Sequence, residues 1–263
     1  MTYQYILYAV ADGVATITLN RPEKLNALLE ETQPEFIDAM RRARTDTDVR
    51  VLVVTGAGRA FCSGADVARL NRQMEGGSAH ELKKPTEPVG AFLIPLHEFP
   101  KPTIASVNGL AVGAGVSLAL ACAMRIASDR ARLVPAWVSR GLAPDAGATW
   151  FLPRIVGVAK AVELLYTAKP LEAQEALSLG IYNRVVEHSR LGEATLELAH
   201  AIAKGPPVAI EFTKRAVHRG MTKSLADAMD YETHAQYTCF ATDDFKEAVT
   251  AFREKREPHF TGR

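Results

Sequence analysis

The chain has 263 residues, of which 48% are hydrophobic and 23% are charged, and its formal net charge is +1. This balance is typical of a globular protein of one or two domains, and the near-neutral charge argues against partners such as nucleic acid or a membrane surface. The three cysteines cannot all pair with one another and show no metal-ligand spacing, so we expect reduced thiols, no metal site and a cytoplasmic protein.

The hydropathy pattern of the chain predicts neither a targeting segment nor a membrane-spanning segment. The N-terminal residues 1–5 show no basic region followed by an apolar one, so we expect no secretory signal. The longest apolar stretch, around residues 110–124, is too short and too rich in glycine for a membrane span.

Strand and helix patterns alternate over the first 190 residues, and the rest of the chain is helical and free of strands. The predicted strands are 5–10, 14–19, 50–55, 102–107, 124–128, 132–134 and 182–186; the predicted helices are 32–44, 66–74, 90–99, 147–156, 159–167 and 172–179. Thr242 is predicted to cap a C-terminal helix. The polar segment 75–88 reads as a surface loop, either a lid or a disordered insertion.

Two turns built from small residues follow apolar strands and open helices. Residues 113–115, Gly-Ala-Gly, precede an apolar helix, and residues 62–65 follow another apolar strand. The first N–H groups of a helix lack partners inside it and favour negative charge, so such turns can hold an anion or an oxyanion. Close packing of two backbones would explain the small residues equally well. A dinucleotide fingerprint fails here because Phe61 stands where its third glycine belongs, and no P-loop ending is present.

Sequence blocks spread over nearly the whole chain resemble the crotonase (enoyl-CoA hydratase/isomerase) superfamily. They occur in family order at residues 20–22 with 26–27, 60–66, 101–105, 107–109 with 113–115, 141–147 and 251–256. The resemblance implies an α/β fold, a crotonase-like spiral of ββα units. It implies a core over residues 1–190 with an acyl-CoA site, and a helical trimerisation region over 191–263. It also implies a homotrimer or a dimer of trimers, and no cofactor other than the coenzyme A of the substrate.

The same resemblance assigns candidate site residues position by position. The backbone N–H groups of Ser63 and Ala114 would bind the thioester oxygen. The positions matched to substrate contacts are Lys24, Leu25, Gly64, Ala65, Asp66, Val67, Gly113, Trp137, Phe252 and Lys255. Phe252 and Lys255 would come from a neighbouring subunit, although a solvated side chain is an alternative for Lys24 and Lys255.

The carboxylates indicate the reaction. The family's hydratases use two glutamates, and the matching positions here are Ser117 and the pair Pro135-Ala136, so ordinary hydratase activity is in doubt. Asp145 remains, and it resembles the aspartate of ring-epoxide, enoyl-CoA and dienoyl-CoA isomerases. One carboxylate suits an isomerase because it can remove a proton at one carbon and return it at another. The alternative is that Asp145 only caps the helix that begins near Gly147.

Trp137 and Asp145 together resemble a pair in aromatic acyl-CoA dehalogenases. Those enzymes also need a histidine where this chain has Gly90-Ala91-Phe92, and His97 is expected to lie about two helical turns away. Trp137 could equally be a pocket wall or a core residue. Ser117 is expected to donate to a backbone carbonyl, and Cys62 to be a buried small side chain.

The leading hypothesis is therefore an acyl-CoA isomerase in which Asp145 shuttles a proton and a backbone oxyanion hole holds the enolate. A hydratase that uses Asp145 and water is the nearest alternative. A non-catalytic CoA-binding or scaffold homologue is the alternative from another class of protein. An NAD-linked enzyme is weakened by the absent fingerprint.

Overall fold

The computed structural model describes residues 3–66 and 88–263. The helix predicted at 66–74 and the loop predicted at 75–88 therefore lie almost wholly outside the described residues. The described strands are β1 (Ile6–Ala11), β2 (Val14–Leu19), β3 (Val51–Gly56), β4 (Ala60–Cys62), β5 (Thr103–Val107), β6 (Leu110–Val112), β7 (Met124–Ser128), β8 (Arg132–Val134), β9 (Leu171–Glu172) and β10 (Arg184–Val186).

The described α-helices number ten. They are α1 (Thr32–Thr45), α2 (Leu93–His97), α3 (Ala114–Ala121), α4 (Ala148–Val156), α5 (Val158–Thr167), α6 (Ala173–Ser178), α7 (Leu191–Ala203), α8 (Pro207–Gly220), α9 (Leu225–Phe240) and α10 (Asp243–Glu254). Short 3₁₀ helices occur at Pro22–Lys24, Val138–Arg140 and His188–Arg190. None of the described helices is long and apolar enough to span a membrane.

Two sheets share the described strands between them. The larger has the order β1-β2-β3-β5-β7-β10, and the smaller has the order β4-β6-β8-β9. Only the hairpin β1–β2 and the pair β8–β9 are antiparallel; the other paired strands are parallel. The successive pairs β3/β4, β5/β6 and β7/β8 each give one strand to each sheet. This alternation confirms the predicted mixed α/β spiral of ββα units.

The burial of the larger sheet explains why its central strands are apolar. β3 and β5 are buried along almost their whole length, as expected for parallel strands covered on both faces. Helix α1 packs on this core through Phe36, Ala39, Met40 and Ala43, which recur at the spacing of one helix face. Phe36 is fully buried. Truncating such a side chain to alanine costs about 3–5 kcal/mol.

The helical C-terminal region begins at Leu191, and residues 191–263 contain no strand. Helix α7 packs against the larger sheet, with Leu191 and Ala199 among the buried valines and isoleucines of β2, β3, β5 and β7. The predicted cap of α10 is confirmed, because the Thr242 hydroxyl accepts the Phe245 N–H at 3.2 Å.

Two local predictions differ from the structure. The turn at residues 56–66 contains the three-residue strand β4, and β6 is a second short strand that the sequence pattern did not indicate. The helix expected over 90–99 is confined to Leu93–His97. Gly90 has φ +78°, a left-handed conformation that is incompatible with a helix beginning there.

Candidate active site

The carboxyl ends of three parallel strands meet at one edge of the smaller sheet. Strands β4, β6 and β8 lie side by side, with Cys62 paired to Ala111 and Val112 paired to Val134. Ligands of α/β proteins commonly bind outside the carboxyl ends of parallel strands. The segments that follow these three strands provide most of the lining of a cavity of about 260 Å³. Its lining comprises Leu28, Gln33, Ser63, Gly64, Ala65, Val89, Gly90, Phe92, Gly113, Ala114, Ala136, Trp137, Arg140, Leu142, Ala143, Asp145 and Ala146.

The N-terminus of α3 forms one end of the cavity. The helix begins at Ala114, so the N–H of this residue has no acceptor within the helix. Gly115 allows the close approach, because a Cβ atom there would lie 2.1 Å from the Cys62 carbonyl oxygen. The sequence folds in this way because only glycine lets the helix start touch the end of β4.

The prediction that the Ser63 N–H is available to a ligand is wrong. This N–H donates to the Leu25 carbonyl oxygen at 2.9 Å. The Ser63 hydroxyl in turn donates to the Lys24 carbonyl oxygen at 3.3 Å. Ser63 therefore ties the turn after β4 to residues 24–25, and its amide is already occupied.

Ala65, two residues further along the same turn, also lines the cavity and is a candidate donor instead. Residues 64–66 form a parallel bridge in which the Leu28 N–H donates to the Gly64 carbonyl oxygen and the Asp66 N–H donates to the Leu28 carbonyl oxygen, at 2.8 and 3.1 Å. Successive N–H groups of an extended chain point in opposite directions, so the Ala65 N–H points away from Leu28. A Cβ on Gly64 would lie 3.4 Å from the Ala114 nitrogen, which places this turn against the start of α3.

Asp145 lies in the cavity wall and is held by Trp137. Its Oδ1 atom accepts the Trp137 Nε1–H at 2.8 Å, and within residues 3–66 and 88–263 its Oδ2 atom has no hydrogen-bond partner. Trp137 is 4% exposed, so the indole is fixed by the core around it. The carboxylate therefore has one oxygen held in place and one that can act on a ligand.

The alternative that Asp145 caps a helix is not supported. The residue preceding α4 is Gly147, with φ +82°, and no side chain among the described residues caps this helix. Only the backbone carbonyl of Asp145 contacts the helix start, where it accepts the Ala148 N–H at 3.0 Å. That carbonyl also accepts the hydroxyl of buried Ser117 at 3.3 Å, which confirms the role expected for Ser117.

Packing near Asp145 excludes a histidine at position 90. A Cβ on Gly90 would lie 2.5 Å from the Ala146 Cβ, and Gly90 also has a positive φ. His97, the nearest histidine in sequence, does not line the cavity; its ring packs against Trp150 and Phe151 instead. The Trp137–Asp145 pair is thus present, and no histidine among the described residues lines the cavity.

Several predicted contacts lie outside the cavity lining. Lys24 is exposed, and the carbonyl oxygens of Lys24 and Leu25 accept hydrogen bonds from Ser63, which lines the cavity. The Asp66 carboxylate forms an ion pair with Arg21 at 2.9 Å, which ties the turn after β4 to residue 21. Val67 lies outside the described residues.

The C-terminal contacts Phe252 and Lys255 lie at the end of α10. Phe252 is 85% exposed and neither residue lines the cavity of its own chain. Their delivery by a neighbouring subunit stays a prediction. Trp137, Gly64 and Gly113, by contrast, line the cavity, and their contact with a substrate stays a prediction.

Cys62 matches its expected role as a small buried side chain. It is fully buried, and this burial raises the pKa of its thiol to about 12. A neutral buried thiol is a poor nucleophile.

Two polar residues of the cavity lining, Arg140 and Gln33, were not predicted from the sequence. Arg140 belongs to the 3₁₀ turn between Trp137 and Gly141. A cation between two residues already singled out was the signal that could have identified it. Gln33 is in the first turn of α1, and no local pattern distinguishes it from a surface residue.

Comparisons with known proteins identify the family of the chain. The family Enoyl-CoA hydratase/isomerase matches residues 9–263. A 1,2-epoxyphenylacetyl-CoA isomerase of Escherichia coli is 37% identical over 99% of both chains. A short-chain-enoyl-CoA hydratase of Clostridium acetobutylicum is 38% identical over 93% of this chain and 92% of its own. The structure of an enoyl-CoA hydratase subunit from Geobacillus kaustophilus superimposes with a TM-score of 0.91 at 37% identity, covering 99% of each chain. The chain belongs to the enoyl-CoA hydratase/isomerase family.

Proposed function

We propose that this protein is an enoyl-CoA isomerase in which Asp145 moves a proton between two carbons of the acyl chain. The observation that carries the proposal is the carboxylate of Asp145 in the cavity wall, with Oδ1 held by Trp137 and Oδ2 without a partner among the described residues. A base of this kind needs a fixed position and one oxygen free to reach the substrate.

The amides of Ala65 and Ala114 are the proposed donors to the thioester oxygen. Both residues line the cavity, and the turn that carries Ala65 contacts the start of α3. Removal of the α-proton by Asp145 turns the thioester into a dienolate, whose negative charge rests on this oxygen. Fixed N–H donors stabilise such charge, and a single one contributes about 3–4 kcal/mol in comparable oxyanion holes.

The proton balance closes on Asp145 alone. The carboxylate takes a proton from the α-carbon of a β,γ-enoyl thioester, and the C–H electron pair moves into the dienolate. The protonated acid then returns the same proton to the γ-carbon, and the double bond comes to lie between the α and β carbons. No water enters the product, so a second acid or base is unnecessary.

Hydration is the second candidate, favoured by the hydratases among the relatives. Water addition needs one group to deprotonate water and another to protonate the α-carbon, or one group to do both in turn. The positions matched to the two glutamates of hydratases carry Ser117, which is bonded to the Asp145 carbonyl, and Ala136, which has no titratable group. These residues favour isomerisation.

Product analysis distinguishes the two reactions. The protein is incubated with 3-hexenoyl-CoA and the thioester is followed by ¹H NMR. We expect 2-hexenoyl-CoA to form without 3-hydroxyhexanoyl-CoA. If the hydroxyacyl product were the main species, the proposed isomerase activity would be wrong and the protein would be a hydratase. Absence of any product with a range of enoyl-CoA thioesters, together with retained CoA binding, would favour a non-catalytic homologue.

A further inference from the structure

Arg140 is a cation in a cavity whose lining is otherwise mostly apolar. Among the described residues, the side chains that line the cavity include one carboxylate, Asp145, and one cation, Arg140. The guanidinium of Arg140 forms no hydrogen bond or ion pair with any side chain in residues 3–66 and 88–263. An arginine placed in this way can bind a planar anion through two parallel N–H donors.

The position of Arg140 in the chain indicates which part of the substrate it would contact, namely the acyl group. It lies on the segment 137–146 that carries Trp137 and Asp145, whereas residues 24–25 adjoin Ser63 at the turn after β4. If the Ala65 and Ala114 amides hold the thioester oxygen, Asp145 must face the acyl carbons next to it. A group on the same loop as Asp145 is then on the acyl side of the thioester.

Gln33 adds a second polar group to the same cavity. Its residue lies in the first turn of α1, while Arg140 comes from the 3₁₀ turn after β8, so the two belong to separate elements. The Gln33 side-chain amide forms no hydrogen bond within the described parts of the chain. Apolar side chains that include Leu28, Phe92 and Leu142 make up much of the remaining lining.

We propose that Arg140 recognises a carboxylate at the far end of the acyl chain, so that the preferred substrates are half-thioesters of dicarboxylic acids. The inference rests on the proposed function for the location of the thioester. Gln33 provides a neutral hydrogen-bonding group in the lining of the same cavity. The apolar lining accommodates the methylene carbons between the thioester and the terminal carboxylate.

A pair of unreactive ligands tests this recognition. Adipoyl-CoA and hexanoyl-CoA are saturated and have the same number of acyl carbons, and they differ in the terminal carboxylate. Their dissociation constants and that of free CoA are measured by isothermal titration calorimetry for the wild type, Arg140→Leu and Arg140→Lys. Arg130→Leu is the matched control, because Arg130 is exposed and lies outside the cavity lining.

We expect Arg140→Leu to weaken adipoyl-CoA binding by about five- to tenfold, and to leave hexanoyl-CoA and free CoA within about twofold of the wild type. Arg140→Lys should retain part of the preference, and Arg130→Leu all of it. High ionic strength should narrow the wild-type preference, since Arg140 is exposed to solvent.

Two results would overturn the inference. An equal loss for all three ligands would mean that Arg140 contacts the phosphates of CoA, and no loss for any of them would mean that it contacts no ligand. Binding of saturated thioesters requires no turnover, so this outcome is independent of the reaction. If the wild type isomerises no enoyl-CoA yet Arg140→Leu selectively loses adipoyl-CoA, the proposed function fails and the carboxylate recognition stands.

Discussion

At the scale of single residues, one hydrogen bond distinguishes between two roles of Asp145, a helix cap and a catalytic carboxylate. A carboxylate beside a helix start is a common cap, and sequence alone could not separate that role from a catalytic one. The structure directs the side chain to Trp137 Nε1 and leaves the helix start to the backbone carbonyl. A buried indole donor fixes the orientation of the carboxylate, and this orientation determines which oxygen faces the cavity.

Trp137→Phe tests the positioning role of this bond. The substitution removes the Nε1 donor and keeps an aromatic ring in the buried site. A hydrogen bond to a charged group contributes about 1.5–3 kcal/mol, so kcat for isomerisation should fall about 10- to 100-fold. The KM should change little, because the ring still forms the cavity wall.

Steady-state kinetics with Trp150→Phe as the control separate positioning from general damage. Trp150 is 41% exposed and does not line the cavity, so its variant should keep wild-type kcat. A Trp137→Phe enzyme with unchanged kcat would show that the indole does not position Asp145. A rise in KM with constant kcat would assign Trp137 to substrate binding alone.

At the scale of elements, long periodic segments were predictable and short ones were not. Helix α1 and strand β3 have apolar patterns long enough to specify their type, and the structure places both close to the predicted bounds. Strands β4 and β6 have three residues each, which is too few to show a periodic pattern of apolar residues. They matter because their ends position Ala65 and Ala114.

The sequence also could not show whether Ser63 or Ala65 has the backbone amide that is available to a ligand. Both are small residues in one turn, and matching to a family pattern cannot show which amide already has a partner. Leu25, whose carbonyl oxygen accepts the Ser63 N–H, has φ +51°. Such a conformation is uncommon for leucine and is set by tertiary contacts.

At the scale of the whole molecule, a cluster of basic side chains joins the C-terminal helices to the core. The His218 ring of α8 stacks on His97 with 4.4 Å between centroids and 10° between planes. On the same helix, the Lys214 Nζ atom donates to the Phe99 carbonyl oxygen at 2.7 Å. His97 also contacts Phe151 of α4, the helix that follows Asp145. This junction therefore links α8 to the loop of the candidate site.

The protonation of this junction should make the protein less stable in acid. Burial, and then the neighbouring bases His218, Lys214 and Arg154, lower the pKa of His97 to about 4, whereas an unfolded histidine has a pKa of about 6.5. Between these values the unfolded chain binds more protons than the folded one. The stability due to neutral His97 is thus complete above about pH 6.5 and decreases as the pH falls towards 4.

Urea unfolding at pH 7.5 and pH 5 measures this effect. Relative to the wild type, His97→Gln should lose about 1 kcal/mol less on acidification, a figure reduced for the water that reaches a half-buried ring. His234→Gln is the control, since His234 is exposed. If the wild type and His97→Gln lost the same free energy of unfolding on acidification, His97 would not be the cause of the acid sensitivity.

The central claim is that the Asp145 carboxylate performs the proton transfer, and Asp145→Asn tests it most directly. The amide can still accept the Trp137 N–H but cannot act as a base. We expect kcat for the conversion of 3-hexenoyl-CoA to 2-hexenoyl-CoA to fall by about 10²–10⁴-fold, while the dissociation constant of hexanoyl-CoA stays within about threefold of the wild-type value. An Asn variant with wild-type kcat would contradict the account.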